Sequence, residues 1–170
     1  MKNEFKAYIE KESFCLPDDR ILLAISGGID SMVMLHLFIN CKYKNIAVAH
    51  CNFSLRGKES DEDQLFIEDF CLKQNIKLFV KRFITQEYVK SNQLSIQVAA
   101  RNLRYEWFDE LLRSEGFNRL AIAHNKNDAV ETFLINLSRG TGIKGLTGMK
   151  KSDSERCLIR PLLFADRDEI

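Results

Sequence analysis

A chain of 170 residues suffices for one domain with its own core, without disulfide support. With 45% apolar and 29% charged residues and a formal net charge of +1, it does not read as a protein that coats polyanions, though a local basic face remains allowed. No apolar run approaches the roughly 18 residues of a membrane span, and Met1 to Glu12 is charged and amphipathic rather than a leader.

Five cysteines (Cys15, Cys41, Cys51, Cys71 and Cys157) are widely spread and form no CxxC pair. That usage fits reduced thiols in a soluble, cytoplasmic protein with no membrane partner, better than a disulfide framework or a metal site.

Short apolar runs alternate with helical patterns, which predicts a parallel α/β sheet with helices on both faces. The expected strands are Ile21–Ile25, Ile46–His50, Lys77–Arg82, Arg119–His124 and Cys157–Arg160, five in all. A first helix spans about Ser31–Asn40, with Val33, Leu35, Leu37 and Phe38 inward. A second starts at Ser60 as N-cap and carries Leu65, Phe66, Phe70 and Leu72. A third runs from about Ser91 to Ser114, with Ile96, Ala99, Ala100, Leu103, Trp107, Phe108 and Leu111 at helical spacing, and ends at Gly116. A fourth, about Asp128–Ser138, holds Val130, Phe133, Leu134 and Leu137. Gly140 to Lys151 reads as a glycine-rich loop, and Asp166 to Ile170 as the opening turn of a further helix. That turn has no C-cap signal, so the chain is expected to be part of a longer protein.

The first strand runs into Ser26-Gly27-Gly28-Ile29-Asp30-Ser31 and then a helix. Two glycines allow a sharp turn and close approach of the backbone to a ligand. Hydroxyls of Ser26 and Ser31 and the helix N-terminus converge on one spot, an anion site. The segment also fits a plain strand-to-helix turn. It is neither GxGxxG nor GxxxxGK(S/T), and without the Walker lysine it suits a site that holds pyrophosphate as a leaving group. Asp30 beside the phosphates would hold Mg²⁺.

In open α/β sheets ligands bind beyond the carboxyl ends of the strands, so His50–Arg56 and His124–Asp128 are expected on the same rim. His124, Asp128 and Glu131 stand near a helix start; Asn125 or Asn127 as N-cap and Asp128 on the helix dipole explain them equally. His50 also fits a satisfied, half-buried histidine. Arg101 and Arg104 share a helix face, and Arg139, before Gly140-Thr141-Gly142, is placed for a phosphate, as is Lys144. Arg56, Lys58, Lys150, Lys151 and Arg156 could meet a nucleic-acid backbone or be solvated.

The SGGIDS segment resembles the pyrophosphate-binding loop, SGGxDS, of the N-type ATP pyrophosphatases. HCNFSLRG at His50–Gly57, AARNLRY at Ala99–Tyr105, AHNKNDAVETFLINLSRGTGIKGLTGM at Ala123–Met149 and IRPLL at Ile159–Leu163 are similar, in order and spacing, to the tRNA(Ile)-lysidine synthetase family. The resemblance covers roughly residues 20–165. It implies a PP-loop domain of the adenine-nucleotide α-hydrolase, Rossmann-like type, with tRNA-binding domains beyond it.

It further implies an ATP-dependent ligase. ATP and Mg²⁺ activate C2 of the wobble cytidine of a tRNA(Ile) with a CAU anticodon, releasing pyrophosphate; free L-lysine then displaces AMP to give lysidine. A homodimer is an allowed assembly. Carried over by position, Ser26, Gly27, Gly28, Ile29, Asp30, Ser31, His50, Arg139 and Gly140 bind the nucleotide, Asp30 holds the metal or the amine, and Asp30, Asp128 and Arg101 are catalytic.

The chain departs from the family at three places. The HH pair is His124-Asn125, the DD pair is Asn127-Asp128, and Phe53 stands in place of the second histidine of HxNHxLR. An aromatic there could stack on a base. The rival readings are a tRNA thiolase of the same superfamily, disfavoured by the missing CxxC, and a non-catalytic ATP-binding module.

Overall fold

The computed structural model describes residues 1–141 and 147–170. The elements follow in the order α1 (Lys2–Lys11), β1 (Ile21–Ala24), α2 (Ile29–Asn40), β2 (Ile46–Asn52), α3 (Lys58–Gln74) and β3 (Lys77–Arg82). Then come α4 (Thr85–Asn92), α5 (Ile96–Glu115), β4 (Arg119–Ile122), α6 (Lys126–Ser138), β5 (Ser152–Asp153), β6 (Leu158–Ile159) and a 3₁₀ turn at Arg167–Glu169.

The expected parallel sheet is present, with six strands rather than five, in the order β3-β2-β1-β4-β6-β5. The extra strand, β5, is a two-residue edge that pairs antiparallel with β6 through Ser152↔Ile159 and Asp153↔Leu158. So short a strand, just past the glycine-rich stretch that ends at Lys151, carries no periodicity to read.

Strand alternation divides the core in two. Ile21, Leu23, Ile25, Val48, Ala121 and Ile159 face α1, α2 and α3, where they meet Phe5, Ile9, Met34, Leu35, Phe38, Ile67 and Cys71. Leu22, Ala47, Ala49, Leu120 and Leu158 face α5 and its Tyr105, Trp107, Phe108 and Leu111. This is the period of two, with apolar residues on both faces, of a buried parallel sheet.

Three helix expectations are corrected. The third helix starts at Ile96 rather than Ser91: a separate short helix, α4, ends at Asn92, Gln93 takes the left-handed conformation (φ 53°), and Ser95 then caps α5 by accepting from Val98 N–H at 3.3 Å. Helix α3 starts at Lys58 behind Gly57 (φ 55°), not at Ser60. Ser60 lies in its first turn and its hydroxyl accepts from Arg56 N–H at 3.2 Å. Helix α6 buries no residue: Val130, Phe133, Leu134 and Leu137 are all exposed, because the helix is fastened at its N-terminus and its body does not pack on the sheet. In α3 the buried residues are Ile67 and Cys71, while Leu65, Phe66 and Leu72 face outward. Gly116 closes α5 in the left-handed conformation (φ 69°), as expected. No helix among the described residues is long and apolar enough to cross a membrane.

Candidate functional site

From β1 the sheet grows one way to β2 and the other way to β4, so the carboxyl ends of β1 and β4 flank the point where strand order reverses. Ala24 is in register with Ala49 and Ile122, so the segments that follow (Ser26, Cys51 and His124) emerge at one level. A cleft of about 740 Å³ opens there. Ser26, Gly28, Asp30, Ser31, His124, Arg104 and Arg167 supply its polar lining, and Ala24, Ala49, Cys51, Phe53, Phe108 and Ile122 an apolar wall. Size and lining suit a nucleotide, with an apolar slot for a base and polar groups at one end for phosphates.

The polar end is the Ser26–Ser31 loop. Gly27 sits at φ +96°, where a side chain is strained, and a Cβ there would come within 3.4 Å of Asp63. Helix α2 opens at Gly28 with no side-chain cap, so the N–H groups of its first turn have no partner within the helix. Ser31 is buried; its hydroxyl donates to Gly28 C=O at 2.8 Å and accepts from Ser26 N–H at 3.2 Å, which folds the loop over the helix start. An anion would meet backbone N–H groups, two hydroxyls and the positive end of α2. These residues therefore fit the phosphates of ATP. Asp30, in the first turn of α2 and lining the cleft, fits a Mg²⁺ shared with them, since Mg²⁺ commonly takes one or two carboxylates plus phosphate oxygens.

The β4 end is held by Asn125, which is fully buried and is the N-cap of α6. Its side-chain oxygen accepts from Asp128 N–H at 3.0 Å, and its backbone N–H donates to Asp128 Oδ2 at 3.0 Å. Its amide Nδ2 donates to Asp30 Oδ2 at 3.2 Å. Asp128 is thus a capping-box residue, and Arg167 Nη2 donates to its other oxygen at 3.2 Å. Asp128 does not itself line the cleft; Asp30 does.

His124 lines the cleft, and its Nδ1 accepts from Arg160 Nε at 3.1 Å. Burial, and after it the Arg160 charge, pulls its pKa down to about 4, so the ring is neutral near pH 7.

The remaining expected site residues fall elsewhere. His50 is buried behind the loop, its Nδ1 2.9 Å from Ile25 C=O, and it is not among the residues lining the cleft. Arg101 lines a second, smaller cleft of about 320 Å³ with Asn102, Tyr105, Glu106, Asp153, Arg156 and Arg160. Its guanidinium lies 5.0 Å from the Tyr105 ring centre. Its i+3 neighbour Arg104 is the arginine of α5 that lines the nucleotide cleft, 5.3 Å over the Phe53 ring. Arg139 caps the far end of α6, ~20 Å along the axis from Asn125 at 1.5 Å per residue. Neither it nor Gly140 is among the described residues lining the cleft. Gly142 and Lys144 lie outside the described residues.

Phe53, expected as a platform for a base, lines the cleft with its ring already stacked on Phe83 at 5.3 Å. Of the loop cations, Arg56 is paired with Glu59 and Asp63, Lys151 with Glu12, and Arg156 lies over Tyr105. Three contributors were not singled out from sequence: Asn125 as the bridge, Arg160 behind His124, and buried Asn52. Asn52 Nδ2 donates to Asp61 and Gln64, pinning the segment that carries Phe53 onto α3. Asn52 and Arg160 lie inside the quoted family segments, which was the available signal.

A parallel sheet with a Walker-less phosphate loop at its switch point defines a nucleotide-binding α/β domain. The chain belongs to the PP-loop domain family, whose model matches residues 1–170. Among curated relatives it is similar to the tRNA(Ile)-lysidine synthase of Bacteroides thetaiotaomicron, 45% identical over 163 residues, covering 96% of this chain and 38% of the relative. It is likewise similar to that of Chlorobaculum tepidum, 41% identical over 175 residues, covering 99% of this chain and 51% of the relative. The chain therefore spans only 38% and 51% of these relatives' lengths. Among solved structures, the U34-tRNA thiolase NcsA of Methanococcus maripaludis with its 4Fe-4S cluster has a TM-score of 0.76 at 22% identity, covering 98% of this chain and 61% of that one. This last likeness shows the fold alone.

Proposed function

We propose that the chain is the ATP-using part of a tRNA(Ile)-lysidine synthase, an ATP-dependent carbon–nitrogen ligase acting in the cytoplasm. The observation that supports this best is that the Ser26–Ser31 loop and His124 line one cleft, with Asp30 held from behind by Asn125 and its capping partner Asp128, in a chain 45% identical to a lysidine synthase.

In this reading the loop holds the β- and γ-phosphates and leaves the α-phosphorus open to the cleft. The O2 oxygen of the wobble cytidine of a CAU-anticodon tRNA attacks that phosphorus and pyrophosphate leaves. Mg²⁺, held by Asp30 and the phosphates, would neutralise the charge on the leaving group. The ε-ammonium of free L-lysine gives a proton to solvent, the resulting amine attacks C2, the O2 atom departs with AMP, and the second proton of the attacking nitrogen is released to solvent as the C–N bond is completed. Asp30, facing the cleft, is the carboxylate placed to orient the amine. Asp128 acts mainly by fixing the start of α6 and, through Asn125, the direction of Asp30. Arg101, in the adjoining cleft, is placed to act on the second substrate rather than on the triphosphate.

Sulfur transfer, the thiolase alternative, fits less well. Cys51 lines the cleft, but burial pushes its thiol up to about 12, far from a thiolate nucleophile at neutral pH.

The test is to incubate the full-length protein with tRNA(Ile), ATP and L-lysine and weigh the wobble nucleoside by mass spectrometry. Lysidine, with AMP and pyrophosphate released only when both tRNA and lysine are present, is expected. An unmodified cytidine overturns the reading, and tight ATP binding without turnover would favour a nucleotide-binding module.

A further inference from the structure

At the rim of the nucleotide cleft, a histidine and an arginine far apart in sequence form one unit. Arg160 follows β6, which pairs parallel to β4 through Leu120↔Leu158 and Ala121↔Ile159, and His124 follows β4. Continued by one residue, that register sets Arg160 beside Ile122, two residues short of His124, and the long arginine side chain spans the remaining step along the rim. Arg160 is itself held: its N–H donates to Lys151 C=O at 3.0 Å and its Nη1 to Lys150 C=O at 2.6 Å. Its Nε donates to His124 Nδ1 at 3.1 Å.

A guanidinium has no acceptor to offer, so the ring nitrogen facing it must be the one without hydrogen. The ring's single proton is therefore on Nε2. His124 lines the cleft, its Nδ1 is taken up by Arg160, and among the described residues no hydrogen bond to Nε2 competes with a ligand for it. The charged groups around the ring are Arg160, Arg101 and Arg104 against Asp128, a balance that opposes a second proton.

We propose that Arg160 is a positioning residue that locks His124 in its Nε2–H form, making His124 a fixed hydrogen-bond donor to the α-phosphoryl oxygens of the bound nucleotide and not a base. It rests on the function proposed above for the identity of the nucleotide step. Attack on the α-phosphorus piles negative charge on those oxygens, and a pre-aimed donor is worth most where charge develops. A free imidazole would sample both tautomers and offer a lone pair, which repels a phosphoryl oxygen, for part of the time.

The chain has three histidines (His36, His50 and His124), so ¹⁵N-resolved NMR of the ring nitrogens can be assigned by substitution. The Nε2–H form at His124 is expected in the wild type, and a mixture of tautomers in Arg160→Met. An Nδ1–H ring in the wild type, or a ring unchanged in Arg160→Met, overturns the proposal. In single-turnover assays of AMP transfer to tRNA, His124→Ala is expected to slow the step about 100-fold with ATP affinity little changed. His124→Gln, whose amide can donate from a similar position, should recover much of that, with Arg160→Met in between. Equal loss in the alanine and glutamine variants would overturn the donor role. If the wild type transfers no AMP at all, the functional reading fails while the tautomer measurement still decides the Arg160–His124 arrangement.

Discussion

The amide of Asn125 donates to the carboxylate of Asp30 across 3.2 Å, joining the phosphate loop to the start of α6 between residues 95 positions apart. Asn125 is fully buried, and its remaining polar atoms close the capping box with Asp128. One side chain thus does two jobs: it starts a helix and aims a carboxylate.

These two jobs are separable. Asn125→Ala removes both and should lower stability by about 1–2 kcal/mol, read from urea denaturation. Asn125→Ser keeps a cap but is too short for Asp30. It is expected to regain most of the stability while binding ATP–Mg²⁺ as weakly as Asn125→Ala. Serine and alanine variants equal in stability and both near wild type in nucleotide affinity would show that the bridge is idle.

Gly27 tests the loop. At φ +96°, with Asp63 3.4 Å from a hypothetical Cβ, Gly27→Ala forces strain on the turn. A cost of about 1–3 kcal/mol is expected, together with loss of ATP binding by calorimetry. Gly140→Ala is the control: among the described residues nothing lies within 4 Å of a Cβ there, so its strain (φ +61°) stays local and the phosphate loop should bind as before.

The two arginines of α5 should behave differently. Arg104→Ala removes a guanidinium from the wall of the nucleotide cleft and its contact with Phe53, and should raise the Kd for ATP several-fold, from about 0.5–1 kcal/mol of cation–π and electrostatic contact. Arg101→Ala should leave that Kd near wild type and instead lower lysidine formation, because Arg101 lines the adjoining cleft. Filter binding of nucleotide and product analysis by mass spectrometry separate the two effects.

Acid should weaken the fold through His124. Its folded pKa, about 4, lies below the unfolded value near 6.5, so the unfolded chain takes up a proton that the native ring refuses. The resulting stability is fully present above about pH 6.5 and is lost as pH falls toward 4. Urea midpoints at pH 7 and pH 5 should therefore drop more for the wild type than for His124→Gln, which has nothing to titrate. Equal drops would mean that the ring is solvated.

Much of this was legible from the chain. Apolar runs such as Ile21–Ile25, alternating with helical patterns, pointed to interior parallel strands, and Gly27 with Gly28 before a helix marked a sharp turn open to an anion. Reading α6 as a core helix failed because periodicity reports that an apolar face exists, not what covers it. The antiparallel β5 and the break at Gln93 were invisible for a related reason: a two-residue strand and a single left-handed residue leave no pattern.

What the sequence determined by itself is local: the strand–loop–helix with its two glycines, the missing Walker lysine, the helix stop at Gly116, and the segments that carry the resemblance. These depend on backbone freedom, spacing and residue chemistry within a few positions. Only the tertiary structure decided which distant groups share the cleft. It placed Arg104 there rather than Arg101, put His50 behind the loop rather than in it, set Asn125 between Asp30 and Asp128, and backed His124 with Arg160. Those choices depend on strand order and register, which parallel pairing fixes across the whole sheet and which no short window of sequence contains.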